Sequence, residues 1–224
     1  TSLQLSGNKL TGTIPTSIGN LTRLQGLWLY NNQLTGTIPT QLWNLTSLMS
    51  LDLGYNALSA GDLSGAPITN LTQLSQLSLV SCGITALPNL SSLTNLYSLY
   101  ISNNQFTSIP SWIQNLSLGS LDLSNNPFTP APLPSFFSTM TTLQSLGVYN
   151  DSLTGAFPSL VNLTQLYFLQ AGNNQITDFP NLSSMTNLTN LYIFGNRLDF
   201  ADIQPNIISG RYISYEGQAE VGTP

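Results

Sequence analysis

One short motif recurs along almost the entire chain and constrains its fold more than any other feature. Nine segments follow the pattern L-x-L-x-x-N-x-L with few substitutions, and Ile213 in the tail continues the series. Successive motifs are separated by 22 to 26 residues. A period of this length is typical of proteins in which each repeat forms one turn of a solenoid. The first leucines of the nine segments are Leu3, Leu27, Leu51, Leu77, Leu99, Leu121, Leu146, Leu169 and Leu191.

The spacing inside the motif predicts how each turn folds. Alternate side chains of a strand point to opposite faces, so the L-x-L segment forms a short strand whose leucines face inward. One turn cannot bury its apolar face alone, and stacking of successive turns aligns these strands in a parallel sheet. The pattern is that of a leucine-rich repeat. We therefore predict an α/β solenoid, a curved leucine-rich-repeat superhelix with a parallel β-sheet on its concave face and irregular or 3-10 segments on its convex face.

The repeat also predicts a division of the chain into three parts. Residues 1–198 form the leucine-rich-repeat solenoid of about nine repeats, residues 199–217 a C-terminal cap with a final strand, and residues 218–224 the start of a linker. A cap is needed because the last turn of a solenoid would otherwise expose the core. Asp199 and Asp202 in the cap are more typical of helix capping than of metal binding. No matching cap precedes the first repeat, so we expect the chain to be part of a larger surface protein.

A polar position follows each strand, five residues after the first leucine, and is called the ladder position below. Asparagine occupies it in most repeats, where its side chain can bond to buried backbone groups that would otherwise be unsatisfied. Cys82, the single cysteine of the chain, takes this position in the fourth repeat, and the chain has no histidine to activate the thiol. We therefore interpret Cys82 as a buried structural residue. Asp151 is the more unusual substitution, because an ionised carboxylate only accepts hydrogen bonds.

The composition argues against nucleic-acid and membrane partners. The chain carries four Lys and Arg residues against nine Asp and Glu, a net charge of −5. So few scattered cations cannot neutralise a nucleic-acid backbone, so we expect no nucleic-acid binding. No apolar run reaches the ~18–20 residues of a membrane helix, so no membrane insertion by this segment is expected.

Groups that could support catalysis are scarce. Without a histidine, nucleophilic catalysis lacks its usual base. Asp52 and Asp122 are predicted to lie three strands apart, roughly 14 Å, which is wider than the ~5 to ~9.5 Å of glycosidase carboxylate pairs. No oxygen-rich loop of calcium spacing occurs in the sequence. We therefore predict that the chain is not an enzyme and has no cofactor and no metal site.

Two kinds of repeat occur together in the chain. The 24-residue turns, such as LTGTIPTSIGNLTRLQGLWLYNNQ, resemble the plant-type extracellular leucine-rich repeats of receptor kinases and polygalacturonase inhibitors. The 22-residue turns, such as ITALPNLSSLTNLYSLYISNNQ, resemble those of internalin-type bacterial surface proteins. The resemblance implies an extracellular or cell-surface module for recognition or adhesion. N-x-[ST] sequons could carry glycans in a secreted eukaryotic protein, although NLT recurs here as part of the repeat.

Strand residues that point outward form the concave surface on which a partner is expected to bind. Most of them are small and polar, so the large ones are informative, and exposed aromatic residues are the usual anchors of interfaces. Tyr149 and Phe194 lie two strands apart, roughly 10 Å, and Gly172 is expected to leave a slot between them for a sugar ring or an aromatic side chain. We predict that a protein or carbohydrate ligand contacts Trp28, Tyr30, Tyr100, Tyr149, Phe168, Gln170, Tyr192 and Phe194.

An alternative function rests on a column of hydroxyl groups three residues after the ladder position. A row of hydroxyls on a nearly uncharged protein resembles the ice-binding faces of solenoid antifreeze proteins, some of which are plant proteins built from leucine-rich repeats. The variable pitch of 22 to 26 residues should spoil the match to an ice lattice, so ice binding is the alternative to recognition. The threonines of this column are Thr11, Thr35, Thr85, Thr107, Thr129, Thr154 and Thr177.

Overall fold

The computed structural model describes residues 1–219, which belong to two compact units. The first unit comprises Thr1–Leu118, and the second begins at Gly119. The strands of the first unit are Ser2–Gln4 (β1), Thr11–Thr13 (β2), Gly26–Trp28 (β3), Gln33–Gly36 (β4), Ser50–Asp52 (β5), Ala57–Leu58 (β6), Gly61–Asp62 (β7), Gln76–Ser78 (β8), Ile84–Ala86 (β9) and Ser98–Tyr100 (β10).

The L-x-L strands of the first unit form a parallel sheet in the order β1-β3-β5-β8-β10. Their first leucines are paired in register, as Leu3 is with Leu27 and Leu77 with Leu99. The other strands form separate parallel sheets, β2-β4-β6 and β7-β9. Four return segments contain a 3-10 turn preceded by proline, whose fixed φ and missing N–H suit the start of a helical turn. These 3-10 turns are Thr16–Asn20, Thr40–Asn44, Ile68–Asn70 and Ser111–Asn115.

The second unit repeats this arrangement and contains a short helix before its last strand. Its L-x-L strands form a parallel sheet in the order β11-β12-β14-β16-β17, and β13 pairs with β15. The predicted solenoid, with parallel strands and irregular or 3-10 return segments, is confirmed in each unit. The elements are Ser120–Asp122 (β11), Ser135–Thr139 (3-10), Ser145–Gly147 (β12), Thr154–Ala156 (β13), Phe168–Gln170 (β14), Gln175–Asp178 (β15), Asn190–Tyr192 (β16), Phe200–Ile203 (α1), Gln204–Asn206 (3-10) and Tyr212–Ser214 (β17).

A left-handed residue turns the chain inward after every L-x-L strand. The residue four positions after the first leucine has a φ between 53° and 69° in all ten turns. Glycine and asparagine tolerate this conformation best and occupy eight of these positions. At Gly195 an added Cβ would also collide with Oδ1 of Asn173, so any larger residue would displace that side chain. The turn carries the next residue, the ladder position, beneath the backbone.

The ladder side chains link successive turns as predicted. Asn174 donates from Nδ2 to the carbonyl oxygen of Val148 in the preceding turn, at 2.8 Å, and to that of Ala171 in its own turn, at 3.1 Å. Its Oδ1 accepts from the backbone N–H groups of Asp151 and Leu153, at 2.9 and 3.0 Å. One buried amide therefore satisfies four backbone groups of two turns.

Cys82 takes the same position with weaker bonds. Its Sγ lies 3.6 Å from the carbonyl oxygens of Leu53 and Val80, and its backbone N–H donates to Oδ1 of Asn104 at 3.1 Å. The side chain is fully buried, and burial, assisted by the charge of Asp52, raises the pKa of the thiol to about 12. The interpretation of Cys82 as a buried structural residue is confirmed.

We expect Cys82 to be unreactive in the folded protein. Both its burial and its raised pKa deny a thiol reagent the exposed thiolate that it attacks. Labelling with a chromogenic disulfide reagent should therefore proceed at the rate of unfolding in buffer and at the rate of a free thiol in concentrated urea. Rapid labelling in buffer would contradict the ladder assignment.

Asp151 is the ladder residue that is least suited to its position. Its Oδ1 accepts from the backbone N–H of Asn126 at 2.9 Å, but its Oδ2 is buried and has no hydrogen-bond partner among residues 1–219. In Asn174 of the next turn, the corresponding atom is a donor to two carbonyl oxygens. Burial raises the pKa of the Asp151 carboxyl to about 8, with a smaller contribution from the charge of Asp122. Because this pKa lies above neutral pH, the Asp151 carboxyl is mainly in its acid form at pH 7. Unlike the ionised carboxylate, the acid form carries an O–H that can donate a hydrogen bond.

The cap after β16 is held by charged side chains in structural roles. Asp199 accepts from the N–H groups of Ala201 and Asp202, at 2.7 and 3.1 Å, and Asp202 accepts from the N–H of Asp199 at 3.1 Å. This reciprocal pair is a capping box for α1, which confirms the predicted helix-capping role of both aspartates. Arg211 is buried, and its guanidinium donates to four carbonyl oxygens of the last return segment and the cap.

Residue 218, where the start of a linker was predicted, has the contacts of a ladder residue. Gln218 stands five residues after Ile213 and acts as the final ladder residue. Its Nε2 donates to the carbonyl oxygens of Ile193 and Tyr215, at 3.0 and 2.7 Å, and its Oε1 accepts from the N–H of Leu198 at 3.0 Å. A glutamine reaches the same backbone groups as an asparagine, so the repeat continues to this point. The rest of the predicted linker, 220–224, lies outside the described residues.

Candidate functional site

Aromatic rings gather on the outward face of the sheet in the second unit. Phe168, Tyr192 and Tyr212 follow one another on β14, β16 and β17, with ring centroids 5.5 Å apart at each step. Tyr149 and Phe194 form a second group on the same face, with centroids 5.9 Å apart. All five side chains keep part of their surface in contact with solvent, and Tyr212 is 58% exposed. These five residues are called the ring patch below.

The predicted slot above Gly172 is closed. The Phe194 ring lies over this glycine, so that a Cβ built there would be 2.9 Å from Cε1 of the ring. The Tyr149 ring contacts this Phe194 ring, with centroids 5.9 Å apart. Rings beside a glycine expose less apolar surface when they pack over its backbone and against each other. The spacing between strands does not predict this side-chain packing. The space over Gly172 that was predicted for a sugar ring or an aromatic side chain is therefore filled by Phe194.

Polar contacts hold the patch in place. The Tyr149 hydroxyl accepts from Nδ2 of Asn173 at 2.7 Å, and the Tyr149 backbone N–H donates to Oγ of Ser124 at 3.1 Å. Gln170, the polar member of the predicted site, is half-buried on β14 between Gly147 and Tyr192. Rings that are fixed by neighbours lose little conformational entropy when a partner binds.

Tyr212 belongs to the patch although the sequence analysis placed it only in the cap. It precedes Ile213 as Phe168 precedes Leu169, and it pairs directly with Asn190 on β16. Its place in the repeat was therefore the signal that could have identified it. The final turn contributes to the exposed surface as well as covering the core.

The predicted site residues of the first unit do not gather into a comparable patch. Trp28 lies flat over Gly26, where a Cβ would be 2.6 Å from Cζ3 of the indole, and its Nε1 donates to Oγ of Ser50 at 3.0 Å. Tyr30 contacts Tyr55, a ring that the sequence analysis missed, edge to face with centroids 5.9 Å apart. Tyr100 is half-buried on β10.

The threonine column is not continuous in either unit. The threonines are exposed, except for the half-buried Thr154. In the first unit, however, Thr35 pairs with Thr13, and Thr11 pairs with Gln33, so the predicted neighbours are two residues out of register. Thr85 lies on β9, which pairs with a different strand, β7, and Thr107 lies outside the strands.

The second unit breaks the column in another way. Thr154 pairs with Gln175, and a register shift separates the following pair, so that Thr177 has no aligned threonine opposite it. Thr129 lies outside the strands. The expected irregularity of the column is therefore present in the strand pairing of both units.

Comparison with protein families identifies the repeat. Profiles described as Leucine rich repeat, Leucine Rich repeats (2 copies) and Leucine Rich Repeat match residues 1–58, 72–116 and 117–140. The chain is a leucine-rich-repeat protein. A search of curated proteins returned no match to the sequence.

Solved structures of leucine-rich-repeat proteins resemble this one along most of its length. The ectodomain of the Arabidopsis receptor kinase HAESA, in complex with an IDA peptide hormone ligand, has 38% identity and a TM-score of 0.80 over 88% of this chain and 34% of its own. A leucine-rich-repeat protein of Leptospira interrogans has 26% identity and a TM-score of 0.75 over 95% of this chain and 60% of its own. This chain thus spans only about a third of the HAESA ectodomain.

A plant ice-binding protein is also similar. It has 25% identity and a TM-score of 0.67, over 88% of this chain and 72% of its own.

Among residues 1–219, no helix has the length and apolar character needed to cross a membrane.

Proposed function

We propose that this leucine-rich-repeat protein is a non-catalytic recognition module, extracellular or displayed at a cell surface, that binds a protein or peptide partner through the ring patch. The observation that carries the proposal is the gathering of five partly exposed rings on one sheet face of the second unit. A soluble sheet has no need of such a surface for its own stability, and rings of this kind anchor interfaces. The HAESA ectodomain, which resembles this chain, was solved with a peptide hormone ligand.

The closed slot favours a peptide or protein over a carbohydrate. A shallow ring surface offers contact area to side chains that lie across it, whereas a sugar needs polar groups arranged around its hydroxyls. The location at the cell exterior agrees with the plant receptor ectodomains among the similar structures.

A phage-displayed library of random dodecapeptides tests the proposal without a known partner. The library is selected on the wild-type chain, and each selected peptide is then measured against three variants. Binding should fall about 10- to 100-fold in Tyr149→Ala and Phe194→Ala, because each removes a ring from the patch. Binding should be unchanged in Phe200→Ala, the matched control, since Phe200 is an exposed ring on α1 outside the sheet. Peptides that bind all variants equally would place the recognition surface elsewhere, and Tyr30→Ala would then test the first unit.

Ice binding remains the second candidate because a plant ice-binding protein has a similar structure and because most of the threonines are exposed. The broken register of the column predicts that it does not match an ice lattice. We therefore expect the purified chain at micromolar concentration to leave ice recrystallisation unchanged. Strong inhibition that is lost in a Thr107→Lys and Thr129→Lys double variant would reverse this order of preference.

A further inference from the structure

The ring patch is bordered by a carboxylate at each end. Asp122 lies on β11, the first L-x-L strand of the second unit, and Glu216 follows β17, the last strand of that unit. The order β11-β12-β14-β16-β17 puts four strand spacings between them, roughly 19 Å at ~4.8 Å each. The rings occupy β14, β16, β17 and the turns that follow β12 and β16, so the aromatic surface lies between two acidic groups.

Asp122 reaches across the sheet towards the rings. Its Oδ1 accepts from the N–H of Ser124 at 3.0 Å, and a Cβ built on Gly147 of the neighbouring strand would be 2.5 Å from the same oxygen. The carboxylate therefore covers Gly147, and Tyr149 stands two residues further along on the same face. A negative charge next to a ring face makes a favourable site for a cation.

Glu216 is fixed at the opposite end. Its Oε1 accepts from Oγ of Ser214, and its Oε2 accepts from the N–H of Tyr215, both at 2.9 Å. Ser214 pairs with Tyr192, and the N–H of Gly195, next to Phe194, donates to the carbonyl oxygen of Glu216 at 2.9 Å. Hydrogen bonds from its own N–H and from Ser214 hold the pKa of Glu216 below its ordinary value. The side chain is therefore a fixed anion beside the patch.

Among residues 119–219, no basic side chain neutralises Asp122 or Glu216. The two basic residues in that range are both engaged elsewhere. Arg197 contacts Oε1 of Gln175 at 3.2 Å, and Arg211 is buried against backbone carbonyl oxygens. The surface that remains for a partner is thus aromatic in the centre and negative at both ends.

We infer that the partner recognised by the ring patch is a basic peptide segment, extended across the sheet, with apolar side chains at its centre and Lys or Arg towards its ends. This inference rests on the proposed function and specifies its ligand. An extended chain advances ~3.3 Å per residue, so about six residues span the distance from Asp122 to Glu216. Charge complementarity of this kind sets the preferred partner and its orientation more than the total affinity.

Three synthetic hexapeptides test the inference. They share an apolar Leu-Phe centre and differ only in the flanking side chains, which are lysine, glutamine or glutamate. We expect the lysine peptide to bind about five- to tenfold more tightly than the glutamine peptide, and the glutamate peptide to bind most weakly. The preference should shrink at ~0.5 M salt and in an Asp122→Asn and Glu216→Gln double variant. It should persist in Asp178→Asn, which removes an exposed carboxylate of β15 that lies outside this sheet.

The outcomes separate the two proposals. Equal affinity for the lysine and glutamine peptides, with both lost in Phe194→Ala, would overturn the basic ligand and leave the ring patch as the recognition surface. Binding of the lysine peptide that is unchanged in Phe194→Ala would overturn both proposals, because the peptide would then bind elsewhere. A lysine preference that survives in the double variant would show that other carboxylates attract the peptide, and it would also overturn the inference. Failure of all three hexapeptides to bind would also overturn the inference. The library selection would then decide whether the ring patch recognises peptides.

Discussion

Replacing Asp151 with asparagine is expected to stabilise the protein by about 4 kcal/mol more at pH 7 than at pH 4. The pKa of this carboxyl is raised from 3.8 to about 8 in the folded chain. The folded state therefore holds the proton more tightly than the unfolded state between these two values. Its contribution to stability is complete below pH 3.8, falls as the pH rises, and is lost above about pH 8.

An asparagine at position 151 carries no such dependence on pH. Its Nδ2 would replace the unpartnered Oδ2 of Asp151. This Nδ2 would donate to backbone carbonyl oxygens, as Nδ2 of Asn174 donates to those of Val148 and Ala171. The measurement is the free energy of unfolding in urea at several pH values for both proteins. Asp178→Asn is the matched control, because this exposed carboxylate should change stability little at any pH. A difference between wild type and Asp151→Asn that stays constant from pH 4 to pH 8 would contradict the assignment of a buried neutral acid.

Replacing Arg211 with methionine is expected to lower the free energy of unfolding by about 2–4 kcal/mol. The guanidinium donates to the carbonyl oxygens of Leu182, Met185 and Leu188 at 2.8 to 2.9 Å, and to that of Asn206 at 3.3 Å. Methionine has a similar length and an apolar body, so the main loss is that of the charged hydrogen bonds in a buried site.

Arg197→Met separates this effect from the mere loss of a charge. Arg197 is exposed and contacts one side chain, Gln175, so its replacement should cost less than about 0.5 kcal/mol. Urea denaturation followed by circular dichroism measures both variants. If the two arginines proved equally dispensable, the cap would not depend on the buried guanidinium.

The fold could be predicted because one periodic pattern carries most of the information. The inward leucines specify the strands, and the regular step between them specifies their order and register, as the pairing of Leu3 with Leu27 and of Leu146 with Leu169 shows. Cys82 could be placed because the ladder position depends only on its distance from the first leucine. Gln218 was missed because glutamine replaces the usual asparagine and a tyrosine stands where the second leucine is expected.

The site could be predicted less well, because spacing along the chain does not determine side-chain conformation. Columns of the repeat correctly place Tyr149 and Phe194 on one face, but the collapse of both rings over Gly172 depends on the apolar area that they remove from water. The threonine column is out of register for a different reason. The L-x-L strands of the first two repeats pair with an offset of 24 residues, whereas Thr13 and Thr35 on the neighbouring strands pair with an offset of 22.

The affinity of one library-selected peptide for wild type and for Phe194→Ala tests the central claim most directly. Both proteins are immobilised at equal density, with Phe200→Ala as the control, and the dissociation constant is measured by surface plasmon resonance. We predict a dissociation constant about 10- to 100-fold higher for Phe194→Ala and within about twofold of wild type for Phe200→Ala. Equal affinities for wild type and Phe194→Ala would show that the ring patch is not the recognition surface.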